Sequence, residues 1–469
     1  MIFRNCILFL KQWLKHVLIK PQAASLNNLH DPKRYEHQIQ KMMTIAKNKG
    51  LRNLLRQQYQ GVPLLSFGIH QNKVARILAH TLREGTFLFG AARQRLIITG
   101  AKKGAPKQRI IYEFSLPDKI VSGVVAQLLT EMVEPLYSPH TYAFRCGVST
   151  KHVITAFANY LKKSYTDNPG CKGIYVIRAD ISNYSEQIYL GKNSLLWTEL
   201  HKIFAALNTQ PTAFQWNLIQ NCIRPQTINL EHRLQSSLRG IPTGTAMNVF
   251  LCNFYTMMLD SKISALDGVF YARYCDDILL AHTNPQRLKQ INILLSELLT
   301  GLGLDRKQDK DLFCYLSMAG NANMDPFWQG SNKFLHLGYR ISGDGQFAVS
   351  KLQQRSFLRD IQKRIDNCYR GVKHQPLADQ GKVICAAINR AIEDRALAKS
   401  QTLNLLRDGA DEGQLKHLDY AIALRIAEIL SRQKGPRAFR SVPYKTIRKE
   451  WGLLSLLQLK LKKFKHETV

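Results

Sequence analysis

The sequence predicts an α+β protein built on a ferredoxin-like sheet. Three observations carry that reading. Between residues 172 and 341 the pattern runs strand, helix, strand-turn-strand, helix, strand, the order of a split βαβ unit with helices on one face. Residues 1–60 and the chain from 345 onward are helical in pattern. Apolar residues make up 45% and charged residues 21%, a globular rather than a disordered composition.

The elements follow in order. Residues 1–60 are helical in pattern and carry eleven Lys or Arg against Asp31 and Glu36. The first twenty residues resemble a signal peptide, but Lys11 and Lys15 interrupt an apolar run too short to span a bilayer. A basic amphipathic helix packed on the body of the protein fits better. Residues 94–99 and 109–114 read as two strands joined by a glycine-rich basic turn, Gly100 to Lys107. Lysines at the tip suit phosphate gripping; an ordinary solubilising hairpin fits equally well.

Residues 118–136 read as a helix, 172–180 as a buried strand ending in Asp180, and 244–260 as a helix opened by a Gly-Ile-Pro-Thr-Gly turn. Two β-rich runs within 268–282 flank Cys275-Asp276-Asp277. Asn284 caps a helix that begins at Pro285 and ends at Gly301. Phe334 to Ile341 reads as the last strand, and the chain from 345 onward is helical in pattern.

Charge narrows the function. There are 66 Lys or Arg and 34 Asp or Glu, a formal net charge of +32. Such an excess opposes compactness unless a polyanion is bound, with nucleic acid first and an anionic membrane surface second. Residues 432–465 carry eleven Lys or Arg against Glu450 and interleave them with Phe439, Tyr444, Trp451 and Phe464. That mixture suits backbone tracking with base stacking; the plainer reading puts the rings in a core and the cations in water. Nine scattered cysteines, none at C-x-x-C spacing, disfavour a zinc site or a disulfide framework and suit a reducing cytoplasm.

The carboxylates are the chemical signal. Asp276 and Asp277 lie between apolar strands, where two adjacent charges repel and are partly desolvated. If the 174–180 strand ends beside the 274–278 turn, Asp180 and Asp276 share hard cations with Asp277 close by. An all-oxygen ligand set favours Mg²⁺ or Mn²⁺ over zinc, and two such ions about 4 Å apart support nucleotidyl transfer. The alternative is that the acids form structural ion pairs with Arg178 and Arg273.

Several segments over residues 85–342 resemble, in order, the motifs of prokaryotic, non-retroviral reverse transcriptases. Arg109-Ile-Ile with Leu116-Pro117-Asp118-Lys119 resembles the fingers segment. Tyr142 to Thr150 resembles the family's "ygFRpgrS" segment. Asp180-Ile181-Ser182-Asn183-Tyr184 resembles the first metal motif, Gly240-Ile241-Pro242-Thr243-Gly244 the "G-[IL]-P-Q-G" turn, and Tyr274-Cys275-Asp276-Asp277 the Y-x-D-D signature. Leu302-Gly303-Leu304 with Lys310 resembles the segment of a pyrophosphate-protonating lysine, and Phe334 to Tyr339 the primer-grip strand.

The resemblance implies a right-hand polymerase with fingers, a ferredoxin-like palm and a helical thumb. Its divisions are a basic helical extension (1–85), fingers (86–172), palm (173–342) and helical thumb with basic C-terminal domain (343–469). It implies RNA-directed DNA polymerase activity with two Mg²⁺ ions, or Mn²⁺, on Asp180, Asp276, Asp277 and the Ile181 carbonyl. Lys102, Lys107 and Arg109 would neutralise the triphosphate, Lys310 would serve as general acid, and Gly240, Pro242, Thr243 and Gly244 would line the nucleotide pocket.

The family places Phe or Tyr five residues after the first Asp, where the ring blocks a 2′-hydroxyl; here that position is Ser185. Either Tyr184 takes over that role or discrimination against ribonucleotides is weak. Thr243 replaces the usual Gln and Asn248 the usual Ser. With no nuclease pattern and no Val-Thr-Gly in the thumb region, the sequence resembles the defence-associated, abortive-infection and unknown-group lineages. Those imply an RNA template, a dedicated non-coding RNA, a DNA product and a second defence protein, without a membrane. An untemplated or protein-primed polymerase, and a non-catalytic RNA-binding scaffold, are the alternatives.

Overall fold

The computed structural model describes residues 25–48, 51–99, 107–241, 244, 246–320, 325–393, 406 and 409–460. The helix expected over the first twenty residues, Lys102, Pro242, Thr243 and Phe464 lie outside them, and Lys107 and Arg109 are described by their backbone alone. The chain divides into two compact units, one of residues 1–148, 177–280 and 286–312, the other of residues 149–176, 281–285 and 313–469.

In the first unit, helix Pro32–Asn48 packs beside helix Gln71–Arg83 and helix Leu116–Val133. The last of these is apolar nearly all round and is buried over most of its length, as a helix surrounded by other elements must be. Its start is set by Ser115, whose hydroxyl accepts the Asp118 N–H at 3.2 Å. The expected hairpin pairs Ala92–Thr99 with Lys107–Glu113, antiparallel from Arg93 opposite Glu113 to Thr99 opposite Lys107. The expected 244–260 helix is two helices, Met247–Phe254 and Met257–Ser264.

The ferredoxin-like order is present. In the first unit the end of strand Ile174–Asp180 lies beside strand Asp277–His282, and Asp277–His282 in turn lies beside Phe270–Tyr274. In the second unit the start of the 174–180 strand lies beside Leu312–Leu316, which pairs parallel with Gln329–Ser331. Tyr175 packs there on Tyr315 and Trp328, with ring centroids 4.9 and 5.0 Å away.

The fourth strand of this sheet is therefore Leu312–Leu316, and the assignment to 334–341 needs correction. Residues 333–349 form a separate three-stranded sheet of Lys333–His336, Tyr339–Ser342 and Phe347–Val349. The cause is local. Leu337 and Gly338 both adopt positive φ, +47° and +86°. That is the geometry of a two-residue hairpin turn, so His336 pairs with Tyr339 instead of continuing one strand.

The rest of the second unit is helical, with Lys351–Val372, Leu377–Glu393 and Glu412–Ser431 packed on one another. Their buried faces include Phe357, Ile361, Ile365, Ile384, Ile388, Leu418, Ile422 and Ile426 at helical spacing. Trp451 belongs to this core and is only 8% exposed. A Cβ on Gly381 would collide with its indole ring, so the helix bearing Gly381 approaches Trp451 as closely as backbone permits. Gly381→Ala is expected to lower stability by about 1–3 kcal/mol through overpacking, read as a reduced urea midpoint with an unchanged slope.

Candidate active site

The site is built where three chain segments of the first unit meet. Strand 174–180 ends at Asp180, and the next residue, Ile181, donates its N–H to the Asp276 carbonyl at 3.0 Å. That bond ties the end of one strand to the turn of the 270–282 hairpin. On the other side, the Lys307 N–H donates to the Asp180 carbonyl at 3.0 Å and the Ser182 N–H to the Asp305 carbonyl at 2.8 Å. Asp180 thus sits between the Asp276-Asp277 turn and the 305–307 segment, held by backbone bonds on both sides.

The electrostatics reflect the crowding. The Asp277 carboxyl is pushed up to about 6, first by burial, then by the charges of Asp276 and Asp180; Arg178 and Lys307 oppose the shift. Lys307 Nζ lies 3.1 Å from Asp180 Oδ2. Beside it, Arg306 and Asp311 form a largely buried ion pair at 2.6 Å. Among the described residues no three acid, His or Cys side chains already converge as a metal cluster. The donor chemistry nevertheless fits a divalent cation. Burial first, and then the neighbouring charges of Asp276 and Asp180, disfavour the ionised form of Asp277, and the lysine at Asp180 supplies positive charge where a cation would otherwise be needed.

The turn carrying Asp276 and Asp277 is strained. Cys275 has φ +62°, a left-handed conformation that a non-glycine residue rarely adopts. Arg273 holds it there. Its Nη1 donates to the Cys275 carbonyl at 2.9 Å and to the Cys252 carbonyl at 3.2 Å. Its other nitrogens bind Asp260 bidentately at 2.7 and 2.6 Å. Both side chains are fully buried, and Asp260 also accepts the hydroxyls of Thr141 at 2.8 Å and Tyr271 at 2.5 Å. Arg273 is thus not an ion-pair partner of Asp276 or Asp277; it supports their turn from beneath.

The remaining expected residues fall as follows. Tyr184 is 4% exposed, and its hydroxyl donates to the Cys252 carbonyl at 2.8 Å and meets Thr256 at 3.2 Å. Its ring points into the core, where an amphipathic tyrosine can bury its body and satisfy its hydroxyl. Ser185 is partly exposed, and its carbonyl accepts the Ile241 N–H at 2.8 Å.

Gly240 and Gly244 have φ +85° and +105°, and a Cβ on either would press on backbone at 3.3 Å, Glu186 O and Tyr112 O respectively. The Gly244 carbonyl accepts Lys119 Nζ at 2.9 Å. Ile181 is buried. Lys310 is exposed in a short 3₁₀ turn, and the lysine paired with a site carboxylate is Lys307 instead. Lys307, Asp260 and the supporting role of Arg273 were missed. The Asp of Leu259-Asp260 and the Arg before Tyr274 were visible, but nothing in their spacing showed that they pair.

Residues 101–341 match the family described as reverse transcriptase (RNA-dependent DNA polymerase). That match covers more than half of the chain, and the chain belongs to the reverse transcriptase family. Among solved structures it is similar to a truncated apo telomerase from Candida tropicalis, at 17% identity and a TM-score of 0.42, covering 56% of this chain and 55% of that one. It is also similar to a telomerase from Candida albicans in complex with a telomeric RNA fragment, at 10% identity and a TM-score of 0.43, covering 79% and 63%. The chain thus spans about half the length of the first of these. No curated protein matches.

Two carboxylates are expected to respond oppositely to amidation. The raised Asp277 pKa means that the unliganded fold loses stability as pH rises from about 4 through about 6, by about 3 kcal/mol in full. Asp277→Asn is expected to flatten that pH dependence and raise the neutral-pH urea midpoint in the presence of a chelator. Asp260→Asn leaves Arg273 buried without its countercharge and is expected to lower stability by about 3–5 kcal/mol.

Proposed function

We propose that this protein is an RNA-directed DNA polymerase that extends a primer strand by nucleotidyl transfer at Asp180, Asp276 and Asp277. The observation that carries the proposal is the Ile181-to-Asp276 backbone bond, which brings together acids almost a hundred residues apart. Asp180 and Asp276, with Asp277 and the Ile181 carbonyl, would hold two Mg²⁺ ions, or Mn²⁺. When bound, such ions activate the attacking hydroxyl and stabilise charge on the triphosphate.

The protein's own groups orient the reactants. The turn bearing Asp276 and Asp277 is rigidly supported, Gly240 and Gly244 keep side chains out of the pocket floor, and Lys307 provides positive charge beside Asp180. Lys102, Lys107 and Arg109 on the basic hairpin would neutralise the triphosphate, and Lys310 remains the proposed proton donor to pyrophosphate. The four-part division into extension, fingers, palm and thumb goes with this proposal. So does a cytoplasmic role in anti-phage defence with a dedicated non-coding RNA; no described helix is long and apolar enough to cross a membrane.

One observation favours a second reading within the same chemistry. Tyr184 is turned into the core and Ser185 stands at the neighbouring position, which supports weak discrimination against ribonucleotides.

The test is extension of an annealed RNA template and DNA primer. Asp276→Asn is expected to reduce synthesis by about 10³-fold or more, while binding of the same template and primer persists. A wild type that incorporates no nucleotide on any template would sink the polymerase proposal in favour of an RNA-binding scaffold. In the same assay Ser185→Tyr is expected to lower NTP relative to dNTP incorporation; an unchanged ratio removes the second reading.

A further inference from the structure

Outside the family-matched segment, helix Glu412–Ser431 and the basic stretch after it gather three aromatic rings at the surface. Phe439 lies between Tyr420 and Tyr444, with centroids 5.7 and 5.8 Å away. Tyr420 is 42% exposed and Tyr444 40%, in a unit whose Trp451 is buried. One face of Tyr444 is covered by the Arg448 guanidinium, 5.5 Å from the ring centroid, and Arg448 Nε donates to the tyrosine hydroxyl at 3.1 Å.

Arg448 is itself anchored by Asp419 at 3.0 Å and by the carbonyls of Leu453 and Leu454 at 3.1 and 2.6 Å. The outer ring is therefore fixed before any ligand arrives, which reduces the ordering cost of binding.

The charge around these rings is predominantly positive. Residues 432–450 carry seven Lys or Arg against Glu450 alone. Arg437, Arg440, Lys445 and Lys449 are exposed, as are Lys416 and His417, one helical turn before Tyr420. Of the acids on the same elements, Glu412 faces Lys416 at 3.9 Å and the others are engaged internally. Asp419 is buried under Arg448, Glu428 accepts the Gly435 N–H at 2.8 Å, and Glu450 accepts the Thr446 hydroxyl at 3.1 Å.

Exposed rings interleaved with an excess of exposed cations match a strand that offers base faces and phosphates alternately. A duplex hides its base faces in the stack. A lipid surface calls for a broad apolar helix face, and the apolar residues of the 412–431 helix, Leu415, Leu418, Ile422 and Ile426, are buried.

We propose that Tyr420, Phe439 and Tyr444 form a binding site for single-stranded RNA, its bases stacking on the two tyrosines and its phosphates on the flanking cations. The choice of RNA rests on the reading of the chain as an RNA-directed polymerase.

The test uses the full chain and fluorescence anisotropy with a single-stranded RNA about 12 nucleotides long, an RNA duplex of equal length and the matching single-stranded DNA. Tyr420→Ala and Tyr444→Ala are each expected to weaken single-stranded RNA binding about 5- to 150-fold and to leave duplex binding unchanged. Tyr420→Phe and Tyr444→Phe should retain it, with unfolding midpoints confirming intact folds. Lys445→Gln with Lys449→Gln should reduce the slope of log affinity against log salt by about 1.4.

Unchanged single-stranded RNA affinity in the Tyr420→Ala/Tyr444→Ala double variant overturns the proposal. So does a preference for the DNA strand over the RNA. So does a shift of that variant from dimer to monomer in sedimentation with RNA affinity intact, which would assign the rings to an interface between copies. Primer extension measured in parallel reports separately on the polymerase reading: if synthesis is absent but the tyrosine variants lose RNA, the site stands and that reading falls.

Discussion

The hydrogen bond from the Ile181 N–H to the Asp276 carbonyl is the constraint on which the site depends. It is a backbone bond, so its geometry follows from strand pairing and not from the acids it brings together. Those acids repel each other, and the Asp277 carboxyl is pushed up to about 6 by burial first and by Asp276 and Asp180 second. A fold that relied on side-chain attraction at this point would open. Here the sheet imposes the proximity, and the electrostatic cost is tolerated because the neighbouring ladder, the Lys307 ion pair and the burial of the strands outweigh it.

The second support is the Arg273–Asp260 pair beneath the turn. A fully buried ion pair contributes little net stability by itself, because desolvation offsets its attraction. Its geometry matters more. The planar guanidinium uses one edge on Asp260 and leaves Nη1 for the carbonyls of Cys275 and Cys252, which a lysine could not reproduce. The left-handed Cys275 is thereby over-determined, and the two acids after it project from a rigid base. Tyr184 joins the same buried network through the Cys252 carbonyl, which explains why its ring is committed to the core.

The second unit sorts its aromatic residues by a different rule. Trp451 meets Gly381 and is enclosed, whereas Tyr420, Phe439 and Tyr444 gather where the helix faces water. Few acids on these elements remain to balance the cations around them: Asp419, Glu428 and Glu450 are engaged in internal contacts, and Glu412 faces Lys416. A strongly positive chain can stay folded with such a surface if the charge is distributed along exposed turns instead of being packed.

Much of this was legible in the residues themselves. The β-rich apolar runs around Asp180 and Asp276, the Pro285 start and Gly301 end of one helix, and the basic hairpin were local signals, and local signals survive into the fold because neighbouring residues enforce them. The strand at Leu312–Leu316 was not legible. Its five residues resemble many short apolar runs, and only pairing with other strands makes them part of the sheet. The same holds for Lys307, for Asp260 with Arg273, and for the inward turn of Tyr184. The amino-acid order alone determined which side chains could carry chemistry and where strands and helices begin. Tertiary structure decided which distant side chains meet, because contacts across the chain depend on sheet order and burial, quantities that no run of neighbouring residues contains.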